Sequence, residues 1–294
     1  MRVDNREGAN TVNSFARVPD IILEPMVRNA IMEDLGGAGD VTTRAVLPET
    51  TRYRAELKAR QAAVVSGMQV AALTFRLIDP TLKIETVVAD GSACKAGDTL
   101  LKVEGLASSI LAAERVALNF AGRLSGTATL TAAYAQALEG TGARITCTRK
   151  TTPGMKLVEK LAVLHGGGHN HRFSLSDAIL IKDNHIAAAG GIRPVLEAVK
   201  RSAGHMVVVE IEIDGLGQLD EVLEARGADV ILFDNMSTQD MAEAVRRIDG
   251  RMKTEASGNV RIDRLQEIAA TGVDYISSGA LTHSAGTVDF GLDF

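Results

Sequence analysis

Residues 206–258 read MVVVEIEIDGLGQLDEVLEARGADVILFDNMSTQDMAEAVRRIDGRMKTEASG. An apolar run, Met206–Ile213, precedes an amphipathic pattern, Leu216–Arg226. A second apolar run, Val230–Phe233, precedes a second amphipathic pattern, Thr238–Asp249, and Met252–Ser257 follows as a less apolar candidate. Strand, helix, strand at this spacing predicts βα units with parallel strands, hence a barrel or a doubly wound sheet. The rhythm continues outward. Ile145–Thr148 and Ala178–Ile181 lie upstream and Tyr275–Ser277 downstream, with helical patterns over Pro194–Ser202 and Ile262–Thr271.

Polar residues decide between the two architectures. Arg149-Lys150, Lys182, Glu212, Asp234, Ser257-Gly258 and Ser278-Gly279 each stand at or near the C-terminal end of a predicted strand. In a (β/α) barrel those ends converge on one mouth, where a site is built; in an open sheet they spread along an edge. Convergence predicts an incomplete (β/α) barrel of TIM type, short of the usual eight strands.

The first half of the chain has a different texture. A helix is expected after Pro25, ending at Gly36-Gly37, with Met26, Ala30, Ile31 and Leu35 on one face. Alternating runs at Tyr53–Leu57, Leu82–Val88 and Thr99–Val103 predict strands, and residues 107–139 a helix broken near Ser125-Gly126. This is the pattern of a small α+β domain with a helical connector.

Charge narrows the function. The chain carries a net charge of -5, yet Arg144–Lys182 holds seven Lys or Arg (Arg144, Arg149, Lys150, Lys156, Lys160, Arg172, Lys182) against two acids, Glu159 and Asp177. A cationic cluster inside an anionic protein is costly unless an anion occupies it, which points to a carboxylate or phosphate ligand. A nucleic-acid partner would need a broader basic face, so none is expected. No stretch approaches the ~18 apolar residues of a membrane span. Residues 1–20 are polar, lack a signal-peptide core and are expected to form a loosely attached tail. Two cysteines, Cys94 and Cys147, make no disulfide framework and suit a reducing cytoplasm.

Several residues admit more than one reading. Arg149 and Lys150 before Thr151-Thr152-Pro153-Gly154 form an anion loop or a solvated basic turn. Gly166-Gly167-Gly168 permits close approach to a ligand from a flexible loop or merely stops a helix. His169-Asn170-His171 is poor support for a metal site, and His171 and Arg172 are expected as hydrogen-bond donors to a carboxylate. Lys182 is either a Schiff-base nucleophile or a fixed cation, and its cationic neighbours favour the second. Glu212 and Asp234 would hold Mg²⁺ beside phosphate oxygens, or pair with Lys182 or Arg149.

Eight motifs then converge: EDLGGAGDVTT (33–43), AERVALNFAGRLSGTAT (113–129), TRKTTPG (148–154), GGGHNHRFSLSDAILIKDNHI (166–186), VEIEID (209–214), LFDN (232–235), EASGNV (255–260) and SSGALTHS (277–284). In this order they resemble the quinolinate phosphoribosyltransferase family from about residue 21 to the C-terminus. The resemblance implies a type II phosphoribosyltransferase with a partial barrel of seven strands and six helices. It would convert quinolinate and phosphoribosyl pyrophosphate, with Mg²⁺, to nicotinate mononucleotide, pyrophosphate and CO₂ on the route to NAD. Expected boundaries are a tail over 1–20, an α+β domain over 21–125, a barrel over 126–282 and a segment over 283–294 that returns to the first domain.

By the same resemblance Arg149, His171, Arg172 and Lys182 would hold the quinolinate carboxylates. Lys150, Glu212 and Asp234 would handle pyrophosphate, Mg²⁺ and ribose. Ser257, Gly258, Ser278 and Gly279 would seat the 5′-phosphate. Arg115 would reach into a neighbouring subunit's site, making a dimer the smallest active unit, with a hexamer as an alternative assembly. Cys147 stands where the family often has an acid, and His165 is expected to be structural. Three other functions compete: a molybdenum-transport-associated paralogue, a Schiff-base lyase acting through Lys182, and a silent phosphate-binding barrel.

Overall fold

The computed structural model describes residues 18–294, so most of the expected tail lies outside the described residues. The chain divides into two units, one running to Ala128 and joined by Thr287–Phe294, the other spanning Thr129–Gly286.

The first unit begins with helices α1 (Asp20–Leu35) and α2 (Val41–Val46). Strands β1 (Arg52–Ala59) and β2 (Ala63–Val64) lead to helix α3 (Met68–Ile78), then β3 (Lys83–Thr86), β4 (Ala93–Cys94) and β5 (Thr99–Leu106). The long helix α4 (Ala107–Ala137) follows. The C-terminal strand Phe290–Asp293 pairs with β1, giving an antiparallel sheet in the order C-terminal strand, β1, β5, β3. Along β1, Ala55, Leu57 and Ala59 are buried while Glu56 and Lys58 stay half-exposed, the alternation of a sheet with one covered face.

Two expectations are corrected here. Helix α1 starts at Asp20, not after Pro25, and buries Leu23, Val27 and Ile31, so of the expected face only Ile31 is buried while Met26, Ala30 and Leu35 are half-buried. Its start is tied down by tertiary contacts: Gln69 Nε2 donates to Val18 O at 2.6 Å and to Asp20 at 2.8 Å, and Arg76 meets Asp20 at 3.0 Å. The helix α4 runs without a break at Ser125-Gly126. Ser125 is fully buried, and its hydroxyl both accepts from Ser66 N–H at 2.9 Å and donates to Ser66 O at 3.0 Å. Those bonds hold in helix a residue pair that local propensity alone disfavours.

In the second unit, six parallel strands alternate with helices. They are β6 (Arg144–Thr146), β7 (Ile179–Ile181), β8 (Val209–Ile213), β9 (Val230–Asp234), β10 (Lys253–Ser257) and β11 (Tyr275–Ser277). The helices are α5 (Lys156–His165), α6 (Asp183–Ala189), α7 (Ile192–Ser202), α8 (Leu216–Ala225), α9 (Thr238–Ile248), α10 (Leu265–Ala269) and α11 (Ala280–His283). The strand order is β6, β11, β10, β9, β8, β7, an incomplete α/β barrel. The count differs from the seven strands implied by the family. Beyond β6 stands a single parallel bridge, Thr146 with His169, rather than another strand.

Side-chain alternation along these strands separates core from site. Ile211 and Ile213 of β8, Ile231 and Phe233 of β9, Ala256 of β10 and Ile276 of β11 join one apolar core with Leu196, Leu219 and Val222 of the helices. The alternate residues Glu210, Glu212, Leu232, Asp234, Glu255, Ser257 and Ser277 therefore face the other way. The parallel pairs Glu212 with Leu232, Asp234 with Ser257 and Glu255 with Leu232 fix their relative heights.

Glycine at 168 is demanded by packing. A Cβ there would lie 2.6 Å from Thr131 Cγ2 and 2.9 Å from Val163 Cγ1. Gly168→Ala should cost about 1–3 kcal/mol and lower the melting temperature by several degrees. Gly204→Ala, where a Cβ meets nothing within 4 Å, should stay within about 0.5 kcal/mol. Equal melting temperatures for the two variants in a thermal scan would contradict the packing account.

Candidate active site

A cavity of about 570 Å³ opens at the C-terminal ends of the parallel strands. Arg149 and Lys150 reach it from the loop after β6, His171 and Arg172 from the segment after α5, and Lys182 from the end of β7. Glu212, Asp234, Glu255, Ser257 and Ser277 reach it from β8 to β11, and Gly258 from just beyond β10. Nine of the twelve expected site residues line this cavity and thirteen of its sixteen lining residues are polar, so a compact anion fits better than an apolar ligand.

Each cation is placed by a separate local device. Glu159, fully buried, accepts from Thr152 N–H at 2.9 Å and from its hydroxyl at 2.7 Å, fixing the loop that follows Arg149-Lys150. Lys150 is held through its carbonyl, which accepts from Thr282 at 2.7 Å. Arg172 Nη1 donates to Ala178 O at 2.9 Å, while its Nε is buried without a partner. Burial, and then the neighbouring Arg149 charge, pull the Arg172 guanidinium below its ordinary value. An anion between these two arginines would relieve both penalties.

Lys182 Nζ meets Glu212 Oε2 at 2.6 Å, so Glu212 is paired in this structure. Asp234 has no ion pair among the described residues and stands on the same wall. Asn235 and Asn259 both adopt positive φ (53° and 48°), and Asn259 Nδ2 donates to Asn235 Oδ1 at 3.1 Å. This amide pair shapes the rim beside Gly258, whose φ of +94° favours glycine.

Three expected residues are not among those that line the cavity. Ser278 is buried and its N–H already donates to Thr146 O at 3.0 Å, so that N–H is not free for a phosphate. Gly279 lies beside Lys150, where an added Cβ would come within 2.8 Å of Lys150 Cδ. Arg115 is exposed on α4, in the other unit, with no hydrogen bond or ion pair among the described residues. His165 is half-buried in the last turn of α5.

The sequence reading missed the buried polar layer beneath the cations. His171 Nε2 lies 2.9 Å from Glu210 Oε2 and 3.7 Å from Glu255 Oε1. Lys160, also buried, donates from Nζ to His171 O at 2.9 Å and to Cys147 Sγ at 3.0 Å. Cys147 in turn donates to Asn170 Oδ1 at 3.1 Å. The triple-glycine segment is therefore pinned, where a flexible loop was expected. A signal existed: Glu210 shares strand parity with Glu212, and Glu255 with Ser257, so a site at the second of each pair implies a charge below it.

Burial and the Glu210 charge push Glu255 up to about 7, against weaker lowering by the His171 charge and a Ser277 hydrogen bond. Burial disfavours a charged His171, but the Glu210 hydrogen bond and the charges of Glu255 and Glu210 outweigh it and raise the ring above its ordinary value. His171, Glu210 and Glu255 are also the group of three whose ligand-type atoms all lie within 4.8 Å of one another among the described residues.

Two family models match the chain: the N-terminal domain of quinolinate phosphoribosyl transferase over residues 40–125 and its C-terminal domain over 127–293. Quinolinate phosphoribosyltransferase [decarboxylating] 1b of Nicotiana tabacum is 42% identical, covering 96% of this chain and 86% of the tobacco protein. A probable nicotinate-nucleotide pyrophosphorylase [carboxylating] of Bacillus subtilis is 39% identical, covering 92% of this chain and 93% of that protein. The crystal structure of NadC from Streptococcus pyogenes superposes with a TM-score of 0.91 at 38% identity, covering 95% of this chain and 98% of that one.

The raised carboxyl sets a pH dependence. The folded protein keeps the Glu255 proton longer than the unfolded chain, so this stabilisation is complete below about 4.5 and is lost as pH rises towards about 7. The raised His171 acts in the same direction, whereas burial and Arg144 lower His169, which opposes it on the acid side. The melting temperature should fall between about pH 5 and 7, and Glu255→Gln should flatten that slope. An unchanged slope in the variant, followed by calorimetry, would remove Glu255 as its source.

Proposed function

The chain belongs to the quinolinate phosphoribosyltransferase family, and we propose that it joins quinolinate to phosphoribosyl pyrophosphate with release of pyrophosphate and CO₂, giving nicotinate mononucleotide for NAD biosynthesis. The observation that carries this reading is one polar cavity in which Arg149, Lys150, Arg172 and Lys182 meet Glu212 and Asp234. A dicarboxylate needs the first set, and a departing pyrophosphate beside a developing ribose cation needs both.

Arg149, Arg172 and Lys182 hold the quinolinate carboxylates, with the unpartnered Arg172 Nε as a donor already desolvated for the task. His171 stands against the same anion. The ring nitrogen of quinolinate attacks the anomeric carbon while the bond to pyrophosphate breaks. Glu212 and Asp234 stabilise positive charge on the ribose, and Lys150 meets negative charge on the leaving group. The product ring is a pyridinium, so when the adjacent carboxylate departs as CO₂ the electron pair left on carbon is stabilised by that cation. The protein's part is to orient and desolvate; no protein nucleophile is required. Ser257, Gly258 and Gly279 are the seat proposed for the 5′-phosphate, with Ser278 supporting the strand end.

Glu212 and Asp234 suit Mg²⁺: two carboxylates on adjacent parallel strands face a pocket fitted for phosphates, the donor set this ion takes while retaining water. Bound there, Mg²⁺ would neutralise pyrophosphate charge. Lys182 would then exchange its Glu212 partner for a substrate carboxylate. Two buried free thiols, Cys94 and Cys147, accord with a reducing cytoplasm. No helix among the described residues is long and apolar enough to cross a membrane.

In an assay with quinolinate, phosphoribosyl pyrophosphate and Mg²⁺, nicotinate mononucleotide and CO₂ should form in equal amounts, and omission of Mg²⁺ should abolish both. No product from a folded sample would turn attention to the molybdenum-associated branch and other pyridine or pyrimidine acids.

The exposed Arg115 supports a site shared between subunits, in a dimer or in a hexamer built from dimers. Arg115→Ala and Lys182→Ala should each be inactive, and mixing them should restore about a quarter of the wild-type rate, because half the dimers are mixed and each mixed dimer has one intact site. Absence of recovery, with exchange of subunits verified by mass spectrometry, would remove the shared site.

A further inference from the structure

Both ring nitrogens of His171 are already engaged within the protein. Nδ1 accepts from Arg172 N–H at 2.8 Å, which leaves Nε2 as the protonated position, and Nε2 faces Glu210 Oε2 at 2.9 Å. Glu210 and Glu255 are both buried, and the Oε1 atom of each has no hydrogen-bond partner. The Glu210 side chain therefore has one firm bond in the structure, and that bond goes to the histidine. From the other side the His171 carbonyl is held by Lys160, and His169 is bridged to β6. The imidazole is a link in a chain from a buried carboxylate to the main chain of Arg172.

We infer that Glu210 is a positioning residue: through the imidazole of His171 it fixes the Arg172 amide, and with it the guanidinium that receives the substrate's carboxylate. His171 then faces the ligand with its ring edge while its nitrogens serve the scaffold. Glu255, 3.7 Å from the same Nε2, backs this contact from β10. The inference rests on the proposed reaction only for what Arg172 binds; the tautomer follows from the protein alone. The consequence is selective. Loosening the link displaces the dicarboxylate donor, while the walls at Glu212, Asp234 and Ser257 belong to other strands and keep their register.

The test combines kinetics with histidine NMR on the full-length protein. Glu210→Ala leaves a buried Nε2–H without its acceptor and should raise KM for quinolinate about tenfold or more, with KM for phosphoribosyl pyrophosphate within about twofold. Glu210→Gln retains an accepting oxygen and should restore most of the loss. Equal rises in both KM values, or a glutamine variant as poor as the alanine one, would overturn the positioning role. Should the alanine variant fail to fold, the wild type still decides. Long-range ¹H–¹⁵N spectra of labelled histidine, recorded at alkaline pH where the raised ring is neutral, should show His171 protonated at Nε2 and bare at Nδ1. A proton on Nδ1 overturns the inference, as does an Nε2 without one, the state expected if a cation lay among His171, Glu210 and Glu255. Because the spectra require no turnover, failure of the reaction and failure of this link are told apart.

Discussion

The parallel register of six strands is the constraint on which the site depends. Asp234 stands opposite Ser257, and Glu212 and Glu255 each stand opposite Leu232, only because β8, β9 and β10 are hydrogen-bonded in one alignment. A slip of one residue would exchange the apolar and polar faces, sending Glu212 towards the helices and Ile211 into the cavity. The large apolar core formed by Ile211, Phe233, Ile231 and Ile276 therefore acts on chemistry indirectly. It opposes every register that would scatter the polar ends, since each would expose those side chains and bury charge in their place.

Electrostatics works in the opposite sense and is tolerated for function. Arg149 and Arg172 repel one another, and beneath them two buried glutamates share one histidine. Arg172 Nε in the upper layer and the Oε1 atoms of Glu210 and Glu255 in the lower one are buried without a hydrogen-bond partner. Local instability of this kind is what a binding site for a highly charged substrate requires, because its relief is available only when the substrate arrives.

Much of this was legible in the sequence. The strands of the second unit follow from β-branched runs separated by amphipathic patterns, and each observed strand falls within one or two residues of its expected end. Met206 is the exception, 83% exposed ahead of β8, because an apolar run does not announce where pairing begins. The failures came from tertiary contacts. Pro25 signalled a helix start, but Gln69 and Arg76 anchor the helix at Asp20. Ser125-Gly126 signalled a break that buried bonds to Ser66 prevent. The basic residues of the site announced themselves by clustering, whereas Glu210 and Glu255 were hidden inside strands and could be found only by following parity inward from Glu212 and Ser257. Arg115 carries no mark of its own beyond exposure on an amphipathic helix.

The strand Phe290–Asp293 has a further consequence for biogenesis. It forms an edge of the sheet whose other members, β1, β5 and β3, are made before residue 107. During synthesis those three strands emerge early and must wait, with one side of β1 unpaired, while the whole second unit is translated. The first unit is thus the first to begin folding and the last to finish. Its open edge is the place where a nascent chain would recruit a chaperone or pair wrongly, and truncation by a handful of terminal residues would leave that edge open for good.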